Sequence, residues 1–242
     1  MSTNIQHIPI IDAHLHFWDL SQLSYPWLRD VPAIERTFSI ADYQQQTSGY
    51  AIEKMVFVQC ECLPEQSMAE VEFVMGEAQK DSRISAIVAY AALEKGLGIE
   101  QVLATYQQNP LVKGVRRMYD DRPDICIEDD FIAAVRLLPD YGLSMDLSIK
   151  PSSVPQTIKL IESCPDTQFI LDHLGKPDIK NKGFDQFEND LAKLASFPNV
   201  VAKLSGLITE ADWTSWTKQD LEQYIVYATG CFAPDRLMFG GD

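Results

Sequence analysis

Positive charge is scarce in this chain: 20 Lys and Arg stand against 35 Asp and Glu, a formal net charge of −15 over 242 residues. Such a surface repels phosphate backbones and anionic lipid, which argues against nucleic acid and membranes as partners. No stretch approaches the roughly 18 apolar residues of a membrane span. Residues 1–9 lack the basic start and apolar run of a secretion signal. Cysteine is sparse and odd in number, at Cys60, Cys62, Cys126, Cys164 and Cys231, so a disulfide framework is excluded. Cys60-Glu61-Cys62 has no second Cys or His pair nearby to complete a zinc site, and reads as reduced thiols on a strand. No G-x-G-x-x-G follows the first apolar run, which removes the main cue for dinucleotide binding. These absences point to a soluble, cytoplasmic protein.

What is present is an ordinary globular composition, 46% hydrophobic and 23% charged, which excludes disorder, collagen and coiled coil. Short Val/Ile/Leu/Phe-rich runs bounded by Gly, Pro or Asp predict buried strands at 8–16, 54–61, 84–92, 111–119, 143–149, 168–173, 200–207 and 236–242. Helical spacing predicts segments at 39–50, 64–80, 100–108, 129–141, 152–163, 185–197 and 218–229. Ser39 caps the first, and Asn109-Pro110, Tyr141-Gly142, Cys164-Pro165 and Pro198-Asn199 stop others. Strict alternation argues a parallel sheet, and eight repeats argue one α/β domain over 1–242, a (β/α)8 TIM barrel. The eighth strand falls at the end of the sequence, so the last outer helix is expected to be missing.

In such a barrel the chemistry sits at the C-terminal ends of the strands. The first strand ends Asp12-Ala13-His14-Leu15-His16, and alternation predicts that Asp12, His14 and His16 share a face. Two imidazoles so placed suit a metal or a substrate oxyanion. His173 follows Asp172 at the end of strand six, and Asp242 ends strand eight at the same level. His7 precedes strand one at the other end of the barrel and reads as structural. Arg116 and Arg117 point to opposite sides of strand four, with Arg116 taken as inward. Asp146, Gln59 and Glu61 are candidates for substrate contacts. Among the aromatics after strand one, Trp18, Tyr25 and Trp27, a ring such as Trp27 could stack on a sugar.

These segments resemble a known family. Asp12-Ala13-His14-Leu15-His16, Gly114-Val115-Arg116-Arg117, Leu171-Asp172-His173-Leu174-Gly175-Lys176-Pro177, Lys203-Leu204-Ser205-Gly206-Leu207 and Phe239-Gly240-Gly241-Asp242 resemble the amidohydrolase superfamily. More narrowly they look like its amidohydrolase-2 branch, which holds hydrolases of L-fucono- and L-rhamnono-lactone type. The resemblance runs nearly the whole chain. It implies a barrel hydrolase in which His14, His16, His173 and Asp242 are the catalytic set and the ligands of any metal. Metal-dependent members usually add a histidine on strand five, which here reads Leu143-Ser144-Met145-Asp146-Leu147-Ser148. A two-metal site is therefore not expected. One divalent ion, Zn²⁺ first, and metal-free catalysis both stay open. Family chains also continue past the strand-eight aspartate into a last helix.

The reaction implied is opening of a sugar lactone to its aldonic acid, with Asp242 as general base and His14, His16 and His173 polarising the carbonyl. The substrate is then a small molecule of carbohydrate metabolism. Two other readings stand beside it. One is a metal-dependent decarboxylase of the same branch, using a similar residue set. The other is an inert remnant or binding protein, its apolar surface left open by the missing helix and covered in a homo-oligomer.

Overall fold

The computed structural model describes residues 7–242. Eight parallel strands follow one another around a single sheet in sequence order: β1 Pro9–Leu15, β2 Ala51–Val58, β3 Ile84–Tyr90, β4 Val112–Arg116, β5 Ser144–Leu147, β6 Phe169–Leu171, β7 Val200–Leu204 and β8 Leu237–Phe239. Between them lie α1 Ile40–Gln46, α2 Ser67–Lys80, α3 Glu100–Gln108, α4 Asp129–Leu137, α5 Val154–Ser163, α6 Phe184–Ala195 and α7 Lys218–Cys231. The predicted α/β barrel is the observed fold, with seven outer α-helices among the described residues.

Two helices begin on side chains that satisfy their free N–H groups. Ser39 and Asp42 form a reciprocal capping box at α1, and Thr217 and Asp220 form another at α7. Gly142, at φ 68, ends the turn after α4 in a conformation that favours glycine. Strand β6 is apolar on both faces because helices cover one side and the barrel interior the other; Met145, Leu147, Phe169, Leu171 and Ala202 are fully buried.

The barrel closes through the last three residues. The Asp242 N–H donates to the His14 carbonyl at 2.9 Å, and the Gly241 N–H donates to Asp12 Oδ1 at 2.8 Å. Side chains at residues 240 and 241 would prevent this approach: a Cβ on Gly240 would lie 2.7 Å from that of His14, and one on Gly241 2.6 Å from Asp12 Oδ2.

Several strands stop short of their predicted ends. β2 ends three residues before Glu61, whose φ is 54, and β6 ends before His173, whose φ is 53. The left-handed backbone leaves the ladder and turns these side chains toward the barrel mouth. Asp12 also departs from the expected alternation. The β1–β2 register shifts between Asp12 and Leu15, so Asp12 does not share the face of His14. Its carboxylate instead accepts the His14 N–H, the Gly241 N–H and the Tyr43 hydroxyl of α1. Between β1, α1 and β8 runs an apolar groove of about 750 Å³, lined by Ile10, Ile52 and Phe239. His7 is exposed rather than packed.

Candidate active site

The C-terminal mouth of the barrel opens into a cavity of about 810 Å³. His16, Arg116, His173 and Asp242 reach it from β1, β4, β6 and β8, with Trp27, Glu61, Lys176 and Glu210 from the loops. His14 lies beneath, fully buried.

His14 Nε2 and His16 Nε2 are 3.0 Å apart, and Asp242 Oδ1 is 3.7 Å from each. The outer nitrogen of His16 fixes its tautomer. His16 Nδ1 is 2.8 Å from the Val58 carbonyl, an acceptor only, so its proton is on Nδ1 and Nε2 carries a lone pair. His14 Nδ1 lies 3.3 Å from both Asp172 Oδ1 and Lys203 Nζ, which leaves its Nε2 as the nitrogen turned toward His16 and Asp242. Burial, then the neighbouring His14 and Arg116, hold the His16 pKa well below the usual histidine value. Two imidazole Nε2 atoms and a carboxylate oxygen gathered at one point are a donor set for a cation. Zn²⁺ takes such nitrogens at about 2.0–2.1 Å. His14, His16 and Asp242 therefore fit a single divalent ion.

His173 stands slightly apart from these donors. Its ring packs on that of His14 at 4.4 Å between centroids, and its Nδ1 meets Ser205 Oγ at 2.8 Å and Asp242 Oδ2 at 3.7 Å. It offers a ligand atom near His14 and Asp172 rather than within the His14–His16–Asp242 group. The four expected residues thus converge on one point, but His173 comes to it from the Asp242 Oδ2 side. Burial and the charge it would share with His14 push its pKa down to about 4, against the pull of Asp242 and Asp172. Both cavity histidines are neutral near pH 7.

Beneath the imidazoles lies a buried ionic cluster. Lys203 Nζ meets Asp146 Oδ2 at 2.5 Å, Asp172 Oδ1 at 2.9 Å and His14 Nδ1 at 3.3 Å. Arg116 Nη1 meets Asp172 Oδ2 at 3.2 Å, and its Nη2 donates to the Gln59 carbonyl at 2.6 Å. Two cations thus face two carboxylates, which a dry interior requires. Burial opposes ionisation of Asp172, yet Lys203, His14 and Arg116 hold its pKa well below the usual range. Burial likewise opposes the Lys203 charge, and the two carboxylates override it and raise its pKa.

Two expected substrate contacts are corrected by this cluster. Asp146 is fully buried against Lys203 and does not line the cavity. Gln59 is also fully buried, its amide bonded to Glu61 rather than open to a ligand. Arg116 points inward and Arg117 outward to Glu94, as strand alternation requires. Trp27 lines the cavity, its indole N–H donating to the Cys60 carbonyl at 2.8 Å. Cys60 and Cys62 follow β2 in a loop as buried free thiols. Asp172 and Lys203 were not singled out as site residues by their pattern. The available signal was a charged residue inside or ending an apolar strand, which has no solvent to face.

Known proteins share sequence and fold with this chain. The sequence profile of the amidohydrolase family matches residues 11–242. An L-fucono-1,5-lactonase of Burkholderia ambifaria is 28% identical over 238 residues, covering 96% of this chain and 79% of that protein. An uncharacterised protein of Sinorhizobium fredii is 28% identical over 254 residues, covering 97% and 84%. A crystal structure of an amidohydrolase from Burkholderia multivorans with bound zinc superposes with a TM-score of 0.85 at 28% identity, covering 96% of this chain and 84% of that one.

Proposed function

The chain belongs to the amidohydrolase family, and from that premise we propose that it hydrolyses a lactone, opening a sugar's cyclic ester to the aldonic acid. The observation that carries the reading is the Asp242 carboxylate, set beside two imidazole nitrogens at the floor of a cavity large enough for a monosaccharide ring. The lactonase relative supports the substrate class. The ring itself is a matter for the loops, with Trp27 as a stacking surface and Arg116 at the cavity wall.

In the proposed reaction, water attacks the lactone carbonyl and Asp242 accepts one of its protons. The carbonyl oxygen gathers negative charge as the new C–O bond forms. Ser205 donates its hydroxyl hydrogen to His173 Nδ1, which keeps a hydrogen on Nε2 for that oxyanion. When the ring C–O bond breaks, the proton held by Asp242 passes to the leaving alkoxide. The product is a hydroxy acid, and Asp242 is again a carboxylate. A divalent ion such as Zn²⁺ held by His14, His16 and Asp242 supplies Lewis-acid polarisation and lowers the pKa of a water it binds. Lys203, Asp172 and Arg116 keep the His14 ring oriented throughout.

A pH-indicator screen of sugar lactones, run on protein of measured metal content, tests the proposal. Acid release from fucono- or rhamnono-type lactones supports it, and silence across the panel in both metal-free and zinc-loaded protein overturns it.

A further inference from the structure

Glu61 has no role in the steps above, yet the fold invests in its position. It is a non-glycine residue at φ 54, a left-handed backbone conformation that is disfavoured for an L side chain and that needs support from its surroundings. Gln59 supplies the support twice. Its Oε1 accepts the Glu61 N–H at 2.6 Å, and its Nε2 donates to Glu61 Oε1. Gln59 is itself fully buried, and Arg116, which is paired with Asp172, grips its carbonyl. A continuous chain of contacts therefore ties Glu61 to the residue that orients His14.

The side chain so held lines the cavity and forms no ion pair among the described residues. The two cations of the lining are already engaged: Arg116 with Asp172, and Lys176 with Asp120 at 3.8 Å. Glu61, Glu210 and Asp242 are the acidic members of the lining. A fixed carboxylate without a counter-ion accepts hydroxyl hydrogens well, and it repels a second carboxylate. We propose that Glu61 is a specificity-determining residue that binds the ring hydroxyls of a neutral, polyhydroxylated substrate and rejects carboxylated ones. The same charge favours release of an aldonate product. Gln59 is its positioning residue. This inference rests on the lactonase reading for its substrate and deepens it.

The experiment compares wild type with Glu61→Gln on a polyhydroxylated sugar 1,5-lactone and on δ-valerolactone, which has the ester but no hydroxyls. The expected result is a rise of about 10- to 100-fold in KM for the sugar lactone, the loss of a charge-assisted hydrogen bond, with kcat within about threefold. Turnover of δ-valerolactone stays within about twofold. Gln59→Met reproduces the selective KM rise. Equal losses on both lactones, or no change on either, overturn the proposal. If wild type opens neither lactone, the hydrolase reading fails separately, and calorimetry with gluconolactam and gluconate decides the role of Glu61. Weaker lactam and tighter gluconate binding by Glu61→Gln then supports it; unchanged binding, or no lactam binding by wild type, overturns it.

Discussion

His14 and Asp242 meet through both backbone and side chain. The Asp242 N–H donates to the His14 carbonyl at 2.9 Å, while Asp242 Oδ1 stands 3.7 Å from His14 Nε2. The bond that helps close the barrel between its first and last strands also sets the distance between the proposed base and the first imidazole. Closure of the fold and assembly of the site are one event.

This arrangement separates the chemistry of Asp242 from its structural part. Asp242→Asn keeps the backbone N–H and the shape of the side chain, but the amide is not a base. Turnover on an accepted lactone should fall by about 10²- to 10⁴-fold, the usual contribution of general base catalysis. The melting temperature should stay within a few degrees of wild type. Full activity of the variant would remove Asp242 from the mechanism.

Gly206 is required by space as well as by conformation. Its φ is 62, and a Cβ there would lie 2.6 Å from His173 Nδ1 and 2.8 Å from Asp242 Oδ2. Gly206→Ala should therefore displace one or both of these proposed catalytic groups, lowering kcat more than tenfold by the loss of alignment. Destabilisation of about 1–3 kcal/mol should accompany it. Steady-state kinetics and urea unfolding on the same preparation measure both effects. A variant with wild-type kcat would show that the His173–Asp242 spacing is not critical.

Lys203 is needed because two carboxylates are buried against it. Lys203→Met should leave Asp146 and Asp172 without that partner and cost about 3–5 kcal/mol of stability. Adding Asp146→Asn should recover part of the loss, since Asp172 keeps Arg116 as a partner and the charge left unpaired on Asp146 is then gone. Denaturant midpoints of the single and double variants test the coupling. Strict additivity would contradict the geometry of the cluster.

The barrel was legible in the sequence because its signals are local and repeated. Each apolar run such as residues 143–149 and each capped helix such as α1 reports its own state without reference to the rest of the chain. The histidines of the candidate site were legible too, since His14, His16 and His173 lie at strand ends, where a barrel gathers side chains at its mouth. What was hidden depends on three dimensions. The register shift after Asp12 is invisible in an alternating pattern, and it turns that carboxylate away from the site to join β8. Asp146 and Gln59 read as ligand contacts because both are polar residues near strand ends. Their true partners, Lys203 and Glu61, emerge only when distant strands are brought together or a backbone turns left-handed.

Glu70 gives the fold a pH dependence whose sign is opposite to that of an ordinary paired carboxylate. It lies on α2, 1% exposed, with its Oε1 accepting the Cys60 N–H at 3.1 Å. Burial lifts its pKa to about 7, against the downward pull of that hydrogen bond. Between the unfolded value of about 4.3 and this one, the native carboxyl holds a proton that the unfolded chain has released. The native state binds more protons there, so its stability falls as pH rises through the window and is lowest, for this group, above it. The full effect is on the order of 4 kcal/mol at about 1.36 kcal/mol per unit. Glu70→Gln keeps an oxygen acceptor for the Cys60 N–H and has no charge to bury. Unfolding free energies measured from pH 5 to 8 should show the variant close to wild type at pH 5 and more stable at pH 8. Because all other titrating groups are shared, the difference between the two curves isolates Glu70, and a difference that shrinks toward pH 8 would show that its carboxylate is stabilised in place.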